Sequence, residues 1–311
     1  MRTIAILILL LLSACTFPDS QGNVLVVTSE NAPAELQQEP ESIVPRVRTV
    51  EAPKEPVLEV DFLKAGHGDA TLIRTPDGKR ILINCGTAAA TEDLRKYFRS
   101  QNISSIDILL TTNSEASSVG ACSALKAELR IGRLLDHALQ DLTSERSNAV
   151  ELLKRGFVVE GGKFFLRMES PVKIQLLIPY DSDRAKRADD HTLVPVIQYG
   201  DRRILLLNNC GFGCQRELAA EDLRADVLQL AQQGREEANS DKLFDQIRPS
   251  IAIASVGVNN AERLPRKDLM QNLNQRRIKL YRTDVQYTIS LVTNGKTLDV
   301  ESEVPYRLER I

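Results

Sequence analysis

Four polar side chains at positions 113, 115, 117 and 118 form the group whose types and spacing point most directly to chemistry. They are Asn113, Glu115, Ser117 and Ser118, within Ile-Asp-Ile-Leu-Leu-Thr-Thr-Asn-Ser-Glu-Ala-Ser-Ser-Val-Gly-Ala at 106–121. The apolar run 106–112 reads as a buried strand that empties into a polar loop, and Val119, Gly120 and Ala121 begin a helix. In an α/β protein such a loop lies at the carboxyl end of the sheet, where sites are built. A transition-metal site there needs imidazoles, thiolates or carboxylates converging on one point. The chain has only three histidines, His67, His137 and His191. Of the four loop residues, Glu115 alone is an ordinary metal ligand.

Metal-free catalysis also has little material. Ser117, Ser118, Glu115 and His67 supply parts of a Ser–His arrangement, but their spacing gives no triad. A loop serine is more often a turn or cap residue. Asp69 reads as a turn residue or a supporting carboxylate. Cys85 and Cys210 are candidate nucleophiles with no identifiable activating base. His137 and His191 read as structural or surface residues.

Positioning such a loop requires a sheet, and the sequence supplies two. Strands are expected at 57–63, 71–75 and 80–84, around a glycine loop at 64–70 and a Pro76-Asp77-Gly78 turn. An amphipathic helix at 92–101 places Leu94, Tyr97 and Phe98 on one face. After strand 106–112 come helix 119–129, strand 134–136 and helix 145–155. Strands 157–159, 163–168 and 172–179 follow. The second half opens with a hairpin, 191–199 and 202–207, around Gly200-Asp201. Helix 215–223, strand 226–230, helix 241–247, strand 249–256, helix 267–275 and strand 278–282 come next. A last hairpin turns at Asn294-Gly295. Two sheet halves flanked by helices imply an α/β fold, a four-layer αββα sandwich.

The amino-terminal part has another character. Arg2 precedes an apolar run at 4–12 that is too short to span a bilayer, as in an export signal. Leu12-Ser13-Ala14-Cys15 resembles a bacterial lipobox, which makes Cys15 the expected lipidation site and 1–15 a signal peptide. Residues 16–56 are rich in Pro, Glu, Gln, Ser and Asn and read as a disordered tether. The folded domain is 57–311. These features imply an exported chain, lipid-anchored to the cell envelope, on the outer membrane where there is one. The membrane is then one partner, met through Cys15.

Charge is nearly balanced, with 40 Lys and Arg against 42 Asp and Glu and a net charge of −2. No Lys/Arg block marks a nucleic-acid footprint. Arg184, Lys186 and Arg187 are followed at once by Asp189 and Asp190, which reads as a solvated loop. Besides Cys15 there are Cys85, Cys122, Cys210 and Cys214, an even set with three pairings open. Cys210-Gly-Phe-Gly-Cys214 can close on itself through its glycines. Free thiols and a zinc site are the alternatives.

The segment at 62–83 carries Phe-Leu-x-x-Gly-x-Gly-Asp-Ala-x-Leu-Ile-x-x-x-x-Gly-x-x-Ile-Leu-Ile. This resembles the opening of the carboxyl-terminal domain of ComEC-type competence proteins, a branch of the metallo-β-lactamase superfamily. The central hairpin, Arg248-Pro249, Ser255-Val256-Gly257 and Tyr281-Arg282-Thr283-Asp284 resemble further motifs, so the likeness runs through most of the folded part. It implies the sandwich above and a paired-metal site. The ligand positions it points to are degenerate. The His-x-[His/Glu/Asp]-x-Asp-His motif is here Asn113, Glu115, Ser117 and Ser118. The bridging Gly-Asp is Asn208-Asn209, His-His-Gly is Gln232-Gln233-Gly234, and a later His is Leu264. Asn84-Cys85-Gly86 replaces Asp-Gly-Gly. His67, Asp69, Asn84 and Cys85 are the candidate pocket residues. Neutral hydrogen-bonding groups would fill the old metal cavity and bond one another.

The expected function is therefore non-catalytic: a binding or scaffold protein at the envelope, without a cofactor. Its partner would be an unknown protein or small molecule. The resemblance adds DNA uptake and nucleic acid as partners, with little support from charge. The alternative is a metal-dependent hydrolase, a phosphodiesterase or nuclease, using zinc or manganese at an atypical site.

Overall fold

The structure is a computed structural model that describes residues 16–18, 24–26, 55–136, 157–160, 163–179 and 192–305. Cys15, His137, His191 and the expected helix 145–155 lie outside the described residues. Within the expected tether, two short strands, Thr16–Pro18 and Val24–Val26, pair antiparallel as a unit of their own. Among the described residues no helix is long and apolar enough to cross a membrane.

The unit Pro53–Ile311 is built on two sheets. The first contains β1 (Leu58–Phe62), β2 (Thr71–Arg74), β3 (Arg80–Ile83), β4 (Ser105–Leu110) and β5 (Arg130–Leu135). The second contains β6 (Phe157–Glu160), β7 (Lys163–Leu166), β8 (Lys173–Leu177), β9 (Val194–Tyr199), β10 (Arg202–Leu206), β11 (Val227–Gln229), β12 (Ile251–Ala254) and β13 (Lys279–Arg282). The chain then returns to the first sheet as β14 (Ile289–Thr293) and β15 (Leu298–Ser302). The strand orders are β15-β14-β1-β2-β3-β4-β5 and β13-β12-β11-β10-β9-β8-β7-β6.

Alternation along the strands explains the layering. Leu58, Val60 and Phe62 of β1 face a core shared with Ile174, Ile197, Ile204, Val227 and Ile253 of the second sheet. That core is the seam between the sheets. Leu72, Leu82 and Leu109 face outward onto α1 (Thr91–Ser100), where Leu94 and Phe98 cover them. On the other sheet Leu205, Leu228 and Ala252 face α5 (Asp241–Ile247) and α6 (Lys267–Gln275), through Phe244, Ile247, Leu269 and Leu273. Three apolar layers between four structural layers make the αββα sandwich expected from the sequence.

Two expected helices are corrected by local geometry. Helix 119–129 is in fact two pieces, α2 (Ala116–Val119) and α3 (Cys122–Glu128). At the break, a Cβ on Gly120 would meet the Ala88 backbone nitrogen at 2.4 Å, so the chain there presses on a neighbouring loop. Helix 215–223 begins earlier, as α4 (Phe212–Glu217), and ends in a 3-10 turn at Leu218–Ala220. The Cys210–Cys214 disulfide fixes this early start. Strand 134–136 begins at Arg130 instead, pairing parallel with β4. A short α7 (Thr283–Gln286) is unforeseen in the sequence.

Candidate functional site

The parallel strands β3, β4, β10, β11 and β12 deliver their following loops to one region, as the topology of open α/β sheets requires. There the structure gathers a buried polar cluster. Asn84, just after β3, adopts a left-handed backbone with φ 60°. Its Nδ2 donates to Thr112 Oγ1 at 2.9 Å and to Asn208 Oδ1 at 3.2 Å. Its Oδ1 accepts from the Thr112 backbone N–H at 2.9 Å. One amide side chain thus joins the ends of β3, β4 and β10, and so links the two sheets.

A second part of the cluster centres on Asp69. Gln229 Nε2 donates to Asp69 Oδ1 at 2.8 Å and to Ser255 Oγ at 2.9 Å. Gln233 Nε2 donates to Asp69 Oδ2 at 3.2 Å and to Asn209 Oδ1 at 3.1 Å. Asn209 Nδ2 in turn donates to Ser117 Oγ at 2.9 Å. The Asp69 carboxylate is 1% exposed. Burial pushes its carboxyl up to about 7, while hydrogen bonds from Ser255 and Gln233 pull the other way. Loss of hydration outweighs neutral donors for a charge in this setting.

The loop that holds Asp69 is built on close backbone approach. Asp69 N–H donates to Ser117 C=O at 3.0 Å, and Gly86 N–H donates to Asp69 C=O at 2.8 Å. A Cβ at Gly68 would lie 2.1 Å from the Ser117 carbonyl oxygen. The glycine loop and the 113–118 loop therefore meet backbone to backbone.

Most of the sequence candidates converge here, in altered roles. Asn113 is buried; its Oδ1 accepts from the Glu115 backbone N–H at 2.9 Å, and its Nδ2 donates to Thr112. Glu115 is exposed at the N-cap position of α2 and its side chain makes no capping hydrogen bond, so it stays outside the buried cluster. Ser118 is fully buried with an unpartnered Oγ. Ser117 pairs with Asn209, and His67 Nδ1 accepts from the Gly257 N–H at 3.5 Å. The Ser–His pairing is thus not formed. Burial holds the His67 imidazolium below its ordinary range, with the Glu262 and Asp284 carboxylates opposing that shift. Gln232 and Gln233 sit in a left-handed turn, φ 47° and 56°, where Gln232 N–H donates to Asn208 C=O at 2.7 Å.

Two cysteine candidates are corrected, Cys85 and Cys210. Cys85 is not a pocket group: it is disulfide-bonded to Cys122 and lies in the helix-side apolar core. Its neighbour Asn84 takes the inward direction, so Cys85 must take the outward one. Leu264 is 2% exposed and packs in the core beneath α5 and α6. Its backbone N–H and C=O are held by Asn260. Cys210 and Cys214 form the other disulfide, so neither is a free thiol, a nucleophile or a zinc ligand.

Thr112, Gln229 and Ser255 were not among the candidates. Gln229 had a readable signal: a lone amide in the otherwise apolar strand Val-Leu-Gln-Leu at 227–230. A buried polar residue in such a strand needs a partner.

The donor set does not fit a pair of divalent transition metals. Among the described residues no three His, Cys, Asp or Glu side chains gather as a metal site. The cluster has one carboxylate, and amide N–H groups already occupy both its oxygens. Carboxamide and hydroxyl groups do not replace imidazole or thiolate for zinc.

No protein-family profile matches the chain. Over 260 residues it is 23% identical to ComE operon protein 3 of Bacillus subtilis, covering 74% of this chain and 32% of that protein. Over 226 residues it is 27% identical to Recombination protein 2 of Haemophilus influenzae, covering 71% of this chain and 27% of that protein. The chain therefore spans about a third of the length of these curated relatives. Among solved structures it overlaps the metallo-β-lactamase fold protein YhfI of Bacillus subtilis, at TM-score 0.46 and 10% identity over 72% of this chain and 95% of the other. It also overlaps CmlA, a diiron β-hydroxylase of Streptomyces venezuelae, at TM-score 0.46 and 15% identity over 77% and 54%. These overlaps are low, and the layered architecture rests on the sheets and cores described above. The chain is similar to a region of ComE operon protein 3 and of Recombination protein 2, and its own sheets and helices form an αββα sandwich.

Proposed function

We propose that this is a non-catalytic binding or scaffold protein at the cell envelope. The observation that carries this reading is the cluster itself. Asn84, Asn208, Asn209, Gln229, Gln233, Ser117 and Asp69 spend their polar atoms largely on one another. A hydrolase of the metal-dependent kind needs converging ligands and an activated water. A site whose polar groups bond mainly to one another, with Ser118 Oγ and Gln229 Oε1 left unpartnered, holds loops in place instead. The lipobox at Cys15 would anchor the chain in the membrane, leaving the sandwich to meet a protein or small-molecule partner. Likeness to competence proteins supports a link to DNA uptake, although the balanced charge gives no footprint for nucleic acid.

The test is hydrolysis of a phosphodiester, with bis(p-nitrophenyl) phosphate and single-stranded DNA as substrates, in zinc or manganese. The expected result is turnover no faster than the metal-only control. Metal-dependent turnover that disappears in Asp69→Asn and Glu115→Gln would instead establish the hydrolase reading.

A further inference from the structure

Both disulfides adjoin residues of the polar cluster. Cys85 follows Asn84 and is bonded to Cys122 at the start of α3, which comes after α2 and the Gly120 break. Cys210 follows Asn209 and is bonded to Cys214 in α4. Each bridge therefore ties a strand-end cluster residue to the short helix beside it. The helices have 7 and 6 residues, too short to persist without tertiary support. The first bridge lies within a web of backbone contacts: Cys85 N–H donates to Ser118 C=O at 2.6 Å, and Gly86 pairs with Val119. All three nearby loops, 66–69, 84–86 and 113–119, meet there. The second lies beside the Gln232 N–H to Asn208 C=O bond.

We propose that oxidation of these cysteines assembles the cluster, so that the site forms only where the chain folds on the oxidising side of a membrane. In each pair one thiolate attacks the disulfide of an external oxidant, an oxidised protein disulfide or oxidised glutathione, and releases one thiol of that oxidant. The second thiolate then attacks the mixed disulfide and expels the oxidant's remaining thiol. Two cysteine thiols become one S–S bond, and the oxidant's disulfide leaves as two thiols. Cys210 and Cys214 are 0% exposed in the folded chain, so their closed bridge is shielded from thiols; in the other bridge Cys85 is 0% exposed and Cys122 is half-buried. The device acts at folding, as a compartment-dependent gate. The two bridges gate separate halves of the cluster.

Amide hydrogen exchange on the full chain tests this, with the double variants C85A/C122A and C210A/C214A. In C85A/C122A the amides of Asp69 and Gly86 should exchange at least about tenfold faster, while that of Gln232 stays protected. In C210A/C214A the Gln232 amide should be released and the other two retained. A chain refolded with reduced glutathione alone should lose protection at all three positions, compared with one refolded with oxidised glutathione. Native protection of the Asp69 and Gly86 amides in C85A/C122A, of the Gln232 amide in C210A/C214A, or of all three in the reduced chain would overturn the proposal. So would a loss in both variants that spreads equally through both halves and the sheet strands.

Discussion

Gly68→Ala is expected to cost the fold about 4 kcal/mol, at the upper end of single substitutions. A methyl at this position meets the Ser117 carbonyl oxygen at 2.1 Å and its carbonyl carbon at 2.9 Å. Both are backbone atoms, so no side chain can swing aside. Relief requires parting the 66–69 loop from the 113–118 loop. That breaks the Asp69 N–H to Ser117 C=O bond and moves Asp69 off Gln229 and Gln233. Gly78→Ala is the control. Gly78 also has a special backbone, φ 86°, but nothing lies within 4 Å of its added Cβ. Its cost should be about 1 kcal/mol, the conformational term alone. Urea unfolding of the two variants checks the contrast. Equal costs would mean that the loop contact at Gly68 is not rigid.

Asp69→Asn is expected to change how stability depends on pH. In the unfolded chain the carboxyl titrates near its ordinary 3.8, and in the fold burial raises it to about 7. Below 3.8 both states are protonated and the group costs nothing. As pH rises toward 7 the unfolded chain ionises first, so stability falls; above 7 the penalty is constant. At about 1.4 kcal/mol per pH unit, the full penalty is on the order of 4 kcal/mol. The parent should therefore lose about that much more stability than Asp69→Asn between pH 4 and pH 8. Parallel stability curves for the two proteins would show that the carboxylate is ionised in the fold at little cost.

What could be read from the sequence follows from periodicity. Strands with strict alternation, such as Leu58–Phe62, and helices with a clear apolar face, such as Asp241–Ile247 and Lys267–Gln275, lie where the pattern placed them. The layering followed because the strands alternate core with core. The cluster was half legible. Asn113, Ser117, Asn209 and Gln233 were identified as a group of neutral residues at the positions of a metal site. Thr112 and Ser255 were not; Gln229 stands out as a lone amide in an apolar strand, but its partner Asp69, 160 residues away, leaves no local mark. Cysteine pairing was open for the same reason. Cys85 and Cys122 are 37 residues apart, and only the packing of α3 against the first sheet brings them together. The break at Gly120 was invisible because it depends on a neighbouring loop.

The central proposal is that the cluster holds itself together by hydrogen bonds and binds no divalent metal. Elemental mass spectrometry on the chain tests this most directly, after purification without chelator and incubation with excess zinc or manganese followed by desalting. The account predicts near-zero stoichiometry for both metals. Tightly held metal in stoichiometric amount, lost on Asp69→Asn or Asn209→Ala, would contradict it and restore the hydrolase reading.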